Sequence, residues 1–583
     1  MHTLVRSTLL AGLTGTLMVS AAWAGIGIAP VPVPVPLPVG TDAAQVTEPV
    51  TGEAGAGATS LALAPGGLYV GASKTSIEPQ PNEAEGEVWE KDLTKCVRLV
   101  DSDVMNTLQN VGDHAASTGS PWPENPNCIY QGGYGLGPMF PVSSFDQELG
   151  LWVRSVAIGD GSDTFVMSVI DGEGWLWDYK NKCEDCGAKQ IGEALAADSE
   201  LAARGVKAGS FALQATHSHT SPDFLGGWGF VPDWYMAQVT EAIKSNVKKA
   251  VLAMEPAALE IGTEDARKYN SERRSTYRSA EEPDLNWLRA VALGSATEGS
   301  AAEEPAAEGK GKGKKPSAEP TPEPTPETTA PRVIATLGAF AAHPVTRDEE
   351  AGVAHPDWPG FFAKRAEERF GGLAMQVMTG LGNVTGARDE KLDEQGNVTQ
   401  IGTGTALADL LPPVGEGRVA RGEDVRFAQR TWRQPVTNVP LDALGTPGFF
   451  DRQFDMSPSS VSVGKSAEAP CVSAAPQSVE LPASILKIGQ DIILTTAPGE
   501  TFSNLSNTIK EKAPDQVVFP LAQTNDALGY MMQSFEMNPV GQQGLGFAAG
   551  GYVFVNYEDS YAIDRCVGDM VLEETLKGMS ELS

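Results

Sequence analysis

The chain has 583 residues, with 43 Lys+Arg against 75 Asp+Glu and a formal net charge of −32. Hydrophobic residues are 41% and charged residues 20%, which supplies a sizeable core and excludes wholesale disorder. The acid excess excludes a basic nucleic-acid footprint and electrostatic docking on anionic membranes. At roughly 100–200 residues per domain, the length allows two to four domains, or one large domain with insertions.

Residues 1–24 are expected to be a secretory signal. His2 and Arg6 precede a short apolar run, Leu9 to Val19, and Ala22-Trp23-Ala24 forms a small-x-small cleavage site. The run falls short of the ~20 apolar residues a membrane span needs, no Cys follows the site, and no second span is visible. The expected product is exported and soluble, secreted or periplasmic. Residues 25–66 are rich in Pro, Val, Gly and Ala and open with Ala29-Pro30-Val31-Pro32-Val33-Pro34-Val35-Pro36; alternating Pro favours polyproline II, so this is a disordered tether. Folded sequence is expected over 67–583, starting near the strand candidate Leu68-Tyr69-Val70-Gly71-Ala72.

Apolar runs predict strands over 164–170 and 210–216, with a helix over 188–204 between them. A helix is predicted over 233–254 and another, with Pro near its start, over 359–370. Strands are predicted over 287–293, 333–337, 491–495 and 516–519. Between the first two of these strands, 295–331 contains no Val, Ile, Leu, Met or aromatic residue and cannot offset its ordering entropy. It reads as a disordered insertion inside one domain, or as a linker between two. Alternating strands and helices point to an α/β fold with mixed β-sheets and flanking helices. No internal repeat is visible. The six cysteines, Cys96, Cys128, Cys183, Cys186, Cys471 and Cys566, are even in number, and export favours disulfides. Cys183-x-x-Cys186 is expected to be a disulfide or half of a zinc knuckle; no second pair completes the knuckle. The remaining pairing is open.

Histidine is scarce. Apart from His2 and His114, the histidines fall in two short segments that each follow a strand candidate: Thr216-His217-Ser218-His219-Thr220-Ser221-Pro222, and Ala341-Ala342-His343-Pro344 with His355-Pro356-Asp357 shortly after. An H-x-H pair in extended chain puts both imidazoles on one face, a common metal-ligand geometry, although two such histidines also occur without a metal. Glu500, just beyond a strand candidate and the turn Ala497-Pro498-Gly499, is a candidate acidic ligand, or a helix-capping residue.

These segments resemble, in order, motifs of the neutral (non-lysosomal) ceramidase family. Thr216 to Pro222 is similar to its T-H-T-H-S-G-P. His355-Pro356-Asp357-Trp358-Pro359-Gly360-Phe361 is similar to its S-x-D-x-x-G-Y, and Leu381-Gly382-Asn383-Val384-Thr385 to its L-G-D-V-S. Ala497-Pro498-Gly499-Glu500-Thr501-Phe502 resembles its A-P-x-E-F. Trp152-Val153-Arg154 and Val169-Ile170-Asp171 resemble its W-A-R and T-D strands. The stretch from Val517 to Tyr530 resembles the strand that ends in a zinc-binding tyrosine. The resemblance runs from about residue 68 to 570.

The resemblance implies one large catalytic domain with a Zn2+ site at strand ends, held by His217, His343, Glu500 and Tyr530. It implies hydrolysis of the amide of ceramide or a related N-acyl lipid. His219 is the candidate donor and leaving-group acid, Asp171 and Thr385 are candidates to orient ligands or water, and Arg274 is a candidate for a polar headgroup. The expected partner is a lipid or small-molecule amide. The family's C-terminal immunoglobulin-like sandwich is not expected here. The chain departs from the family at Thr385 for Ser, Asn383 for Asp, Ser221 for Gly and Glu148 for a histidine. A zinc hydrolase acting on another amide or ester, and a non-catalytic secreted binding protein, stay open as alternatives.

Overall fold

The computed structural model describes Leu63 and residues 66–96, 125–133, 140–180, 182–226, 230–274, 280–294, 331–346, 352–386, 400–438, 451–464 except 453, 470–537 and 558–583. The signal, most of the tether, His114 and nearly all of 295–331 lie outside them.

The strands in chain order are β1 (Tyr69–Ser76), β2 (Trp152–Gly159) and β3 (Thr164–Ile170), then helix α1 (Ala188–Ala197), β4 (Phe211–Ala215) and helix α2 (Asp233–Leu252). The same succession returns with β5 (Glu255–Asp265), β6 (Asp284–Ala292), β7 (Val333–Phe340), α3 (Asp357–Phe370), β8 (Leu373–Met378) and α4 (Gln400–Leu410). It returns a third time with β9 (Val425–Pro435), β10 (Ser478–Ile488), β11 (Ile492–Thr496), α5 (Ser503–Glu511), β12 (Val517–Leu521) and α6 (Val567–Glu581).

In each unit the first three strands pair antiparallel and the fourth adds parallel to the third, across a helix. That is the connection a parallel pair needs. Units one and two join through β1 and β5 into a sheet of order β8-β7-β6-β5-β1-β2-β3-β4, to which Arg418–Val419 adds along β5. Unit three forms the second sheet, β9-β10-β11-β12. The fold thus repeats three times where the sequence shows no repeat.

The two sheets pack face to face. Phe165, Met167, Leu337 and Val377 of the first meet Leu486, Ile492, Leu494 and Phe519 of the second. The alternate residues face helices: Val166 and Ile170 lie in the cluster with Val239, Ile243 and Val247 of α2, and Ala374 and Met378 in the cluster with Trp358 and Phe362 of α3. Ile493 and Val518 pack with Leu505 of α5 and Val571 of α6. With side-chain period two, strands buried on both faces read as continuous apolar runs. The result is a four-layer α/β/β/α domain, the mixed α/β architecture expected from the sequence.

The helix expected over 188–204 ends at Ala197, because the Asp198 side chain accepts from the backbone N–H groups of Glu200 and Leu201 and starts a new turn. The strands flanking 295–330 are antiparallel neighbours, so that stretch connects two strands of one sheet. All six cysteines pair: Cys96–Cys128, Cys183–Cys186 and Cys471–Cys566.

Candidate metal centre

Each unit sends two segments beyond its parallel strands at one end of the sandwich. After the third strand come Glu173, His343 and Glu500; after the fourth come His217, Thr385 and Tyr530. The buried Gln214 on β4 fixes the three ends together. Its amide donates to the carbonyls of Met378 on β8 (2.9 Å) and Ala522 beyond β12 (2.6 Å), and its Oε1 accepts from the Met378 N–H.

The local backbone is strained toward this end. His217 (φ 61°), Gln523 (φ 49°) and Asn525 (φ 66°) are in the left-handed region, which costs a non-glycine residue about 1–3 kcal/mol and persists where surrounding structure enforces it. The N–H of His217 donates to Gly172 O (2.9 Å), that of Gln523 to Gly499 O (2.8 Å) and that of Asn525 to Leu213 O (2.7 Å).

His217, His219 and His343 converge, with one nitrogen of each within 4.8 Å of the others. The Nδ1 of His217 donates to Glu173 O (2.7 Å), and the Nδ1 of His343 to Leu381 O (2.6 Å). Each ring therefore presents an Nε2 lone pair inward. His343 Nε2 lies 2.9 Å and His217 Nε2 3.6 Å from Glu500 Oε2, and His219 Nε2 lies 3.3 Å from His217 Nε2. Glu500 Oε2 is buried and takes no hydrogen bond. Lone pairs aimed at one another repel unless a cation sits between them. Two imidazoles and a carboxylate are a donor set for zinc, among other divalent ions. The residues therefore fit the metal that the resemblance implies.

The electrostatics agree. Burial pushes His343 down to about 4, with the Arg273 guanidinium adding to the effect. His219 is pushed well down by burial and then by His217 and His343. Burial opposes ionisation of Glu500, but His217 and His343 outweigh it and hold the carboxyl well below its ordinary range. At neutral pH, His343 and His219 are bases and Glu500 is a carboxylate, the state a ligand set requires.

Tyr530 pairs in parallel register with Glu500, and its hydroxyl accepts from Arg273 Nη2 at 3.0 Å. Thr385 is half-buried in a parallel bridge beside His343. Asp171 is buried away from the rings, where Oδ2 accepts from Arg154 Nη1 (2.7 Å) and Trp152 N–H (2.9 Å). Arg274 is buried too: it donates to Asp559 (3.0 Å), lies beside Glu558 and stacks on Phe502. The guanidinium at the site is that of Arg273, one residue earlier. Sequence reasoning missed Arg273, Glu173 and Gln523, whose side-chain amide lies 3.4 Å from His217 Nδ1. The Asp171-Gly172-Glu173 run directly beyond β3 was the available signal for Glu173.

No family model and no curated protein sequence matches the chain. In fold it is similar to the crystal structure of neutral ceramidase from Pseudomonas aeruginosa, at a TM-score of 0.54 and 14% identity over 88% of this chain and 74% of that one. The structure of a ceramidase complexed with C2 has a TM-score of 0.48 and 14% identity, over 85% of this chain and 76% of that one. The chain thus has a ceramidase-like fold.

Proposed function

We propose that the protein is a zinc-dependent amidohydrolase that cleaves the amide of ceramide or a related N-acyl lipid to a fatty acid and a sphingoid base. The observation that carries this reading is the convergence of His217 Nε2, His343 Nε2 and Glu500 Oε2 on one buried point, with both Nδ1 protons fixed outward on carbonyls. The likeness of fold to a neutral ceramidase supports the substrate class.

His217, His343 and Glu500 would hold the ion, with Tyr530 beside them. A zinc ion so held acidifies water and polarises an acyl carbonyl. His219, unprotonated at neutral pH and only half-buried, takes the proton of the attacking water and returns it to the leaving nitrogen. Thr385 offers a hydroxyl beside His343 to orient water or the acyl oxygen. Arg273 donates to the Tyr530 oxygen and orients it. Asp171 and Arg154 hold the ends of β2 and β3 in place, and Arg274 braces Phe502 from behind. The three disulfides support an exported protein, and no helix among the described residues is long and apolar enough to cross a membrane.

The test is metal analysis of purified protein together with hydrolysis of a fluorescent ceramide, for wild type and His217→Ala. Stoichiometric zinc and turnover, both lost in the variant, are expected. Zinc without ceramide turnover would move the reading to another amide or an ester. Absence of bound metal would overturn it.

A further inference from the structure

The segment Cys128–Gly133 runs antiparallel to the chain just beyond His219, with a bridge between Gln131 and Pro222. The N–H of Gly132 donates to Ser221 O (3.3 Å) and that of Asp223 to Tyr130 O (3.0 Å). Further ties hold the segment from other sides. The Gln131 side-chain amide donates to Val353 O (2.6 Å), the Gln131 N–H donates to Phe140 O (2.8 Å), and Cys128 is bonded to Cys96. Tyr130 and Gln131 are buried. The segment is a strap fixed at several points.

This strap ends against an imidazole. Gly133 has φ 81°, and a Cβ on it would stand 2.2 Å from Nδ1, 2.4 Å from Cγ and 2.6 Å from Cε1 of His219. Only a residue without a Cβ lets the backbone come so close to the ring. Gly133 therefore backs the Nδ1 edge of His219. The opposite edge, Nε2, lies 3.3 Å from His217 Nε2. The main chain of His219 is held separately. Ser218 Oγ (2.8 Å) and Thr220 Oγ1 (3.1 Å), one on each side of it, both donate to His355 O, and the His355 N–H donates to Thr220 O (2.9 Å). With the main chain held, rotation about the two side-chain torsions is the freedom left to the ring, and contact along its back edge limits that rotation.

We propose that Gly133 is a positioning residue: the strap it ends is the wall that turns Nε2 of His219 toward the point where His217, His343 and Glu500 converge. The inference rests on the amidohydrolase reading above, and it concerns where the ring stands, not its charge.

The test measures zinc affinity, ceramide turnover and the midpoint of thermal unfolding on full-length protein, for wild type, Gly133→Ala, His219→Ala and the two combined. Gly86→Ala is the control: Gly86 has φ 84° and open space at its Cβ position, so this variant carries the backbone strain with no ring to displace. Gly133→Ala is expected to keep stoichiometric zinc at wild-type affinity while kcat on a fluorescent ceramide falls about 100-fold, the scale of a 1 Å misplacement, with KM changed far less. Gly86→Ala is expected to leave kcat unchanged. Gly133→Ala is expected to lower the unfolding midpoint less in the His219→Ala background, where the ring is gone, than in wild type. Gln131→Met serves as a second variant should Gly133→Ala not fold. It releases the strap from Val353, and kcat is expected to fall with zinc retained; an unchanged kcat would overturn the role of the strap. Equal lowering of the midpoint in both backgrounds would overturn the contact between Gly133 and the ring. A raised KM at unchanged kcat would overturn the proposal by setting Gly133 against substrate, and weakened zinc binding would overturn it by making the strap a support of the metal centre. Zinc-loaded wild type that leaves ceramide uncut would overturn the amidohydrolase reading and this role within it, whereas the midpoints, which need no substrate, would still report whether the ring rests on Gly133.

Discussion

Asn383 stands where the ceramidase-like motif has an acid, and its contacts explain the neutral side chain. Oδ1 accepts from the Ser503 N–H at the start of α5 (2.7 Å), and Nδ2 donates to Ala280 O (2.8 Å). A carboxylate could make the first bond but not the second. Asn383 thus ties the loop beyond β8 to the helix that follows Glu500, which is a structural task and asks for no base. Asn383→Ala is expected to lower stability by about 1–3 kcal/mol, since a buried donor and acceptor lose their partners; the midpoint of thermal unfolding checks this. Thr385 is a different case, because its backbone bridges to that of His343 and the proposed function gives its hydroxyl a role. Thr385→Val keeps the branched shape and removes only the oxygen. A fall in kcat of about 100-fold with zinc content unchanged is expected, on the scale of losing one donor to a developing oxyanion. An unchanged kcat would assign Thr385 to packing.

The three strand–strand–strand–helix–strand–helix units converge because Gln214 hydrogen-bonds the ends of β4, β8 and β12 at once. Gln214→Met fills the same space and leaves the Met378 N–H, the Met378 carbonyl and the Ala522 carbonyl without this partner. A loss of about 3 kcal/mol or more is expected, with metal affinity falling as well, because His217 leaves the end of β4 and His343 leaves β7, the strand paired with β8. Equilibrium unfolding and chelator titration measure the two effects. An effect on stability alone would mean the site is held by its loops. The same elements show what the sequence made legible. The apolar runs that became β3, β4, β7, β11 and β12 stood out, since both their faces are buried, and scarce histidines beyond such runs marked the site. The threefold unit was not legible: it repeats a pattern of pairing, and pairing is set by contacts between distant residues rather than by similar residues at a fixed period. That Arg273 rather than Arg274 meets Tyr530 was not legible for a related reason. Both follow the short strand Asn270–Glu272, and the course of the loop there, fixed by the Arg273 N–H bond to Asn383 O (2.9 Å), decides which one reaches Tyr530.

At the scale of the whole molecule, the third unit carries Glu500 and Tyr530 on a sheet that is held differently from the other two. Beneath it, Arg274 faces Glu558 and Asp559, and Glu536 lies nearby, accepting from Asn504 and Gln533. Burial raises Glu536 to about 7, above its unfolded value, so its neutral form is the stable one. Stability is therefore full below about pH 4.5 for this group and is lost as pH rises toward and through 7. Thermal unfolding between pH 5 and 8 is expected to show that decline, and Glu536→Gln to flatten it. The second hold is covalent. Cys471 lies on a hairpin, Ser459–Val463 with Cys471–Ala475, inserted between β9 and β10, and it bonds Cys566 at the head of α6. The bond spans 95 residues, which contain β10, β11, α5 and β12. A crosslink over a span of this size restricts the unfolded chain by roughly 4.7 kcal/mol in the chain-entropy picture, with native-state effects reducing what is seen. Cys96–Cys128 spans 32 residues of the connection between β1 and β2 and restricts the chain somewhat less. The double variant Cys471→Ser/Cys566→Ser is expected to unfold some 2–4 kcal/mol more easily and to lose zinc at a lower temperature, because α6 packs on the sheet that positions Glu500. Cys96→Ser/Cys128→Ser is expected to unfold more easily too, but to hold zinc up to its own unfolding temperature. Equal early loss of zinc in both pairs would mean that the crosslinks act through overall stability, and that the third unit is not the part of the site that yields first.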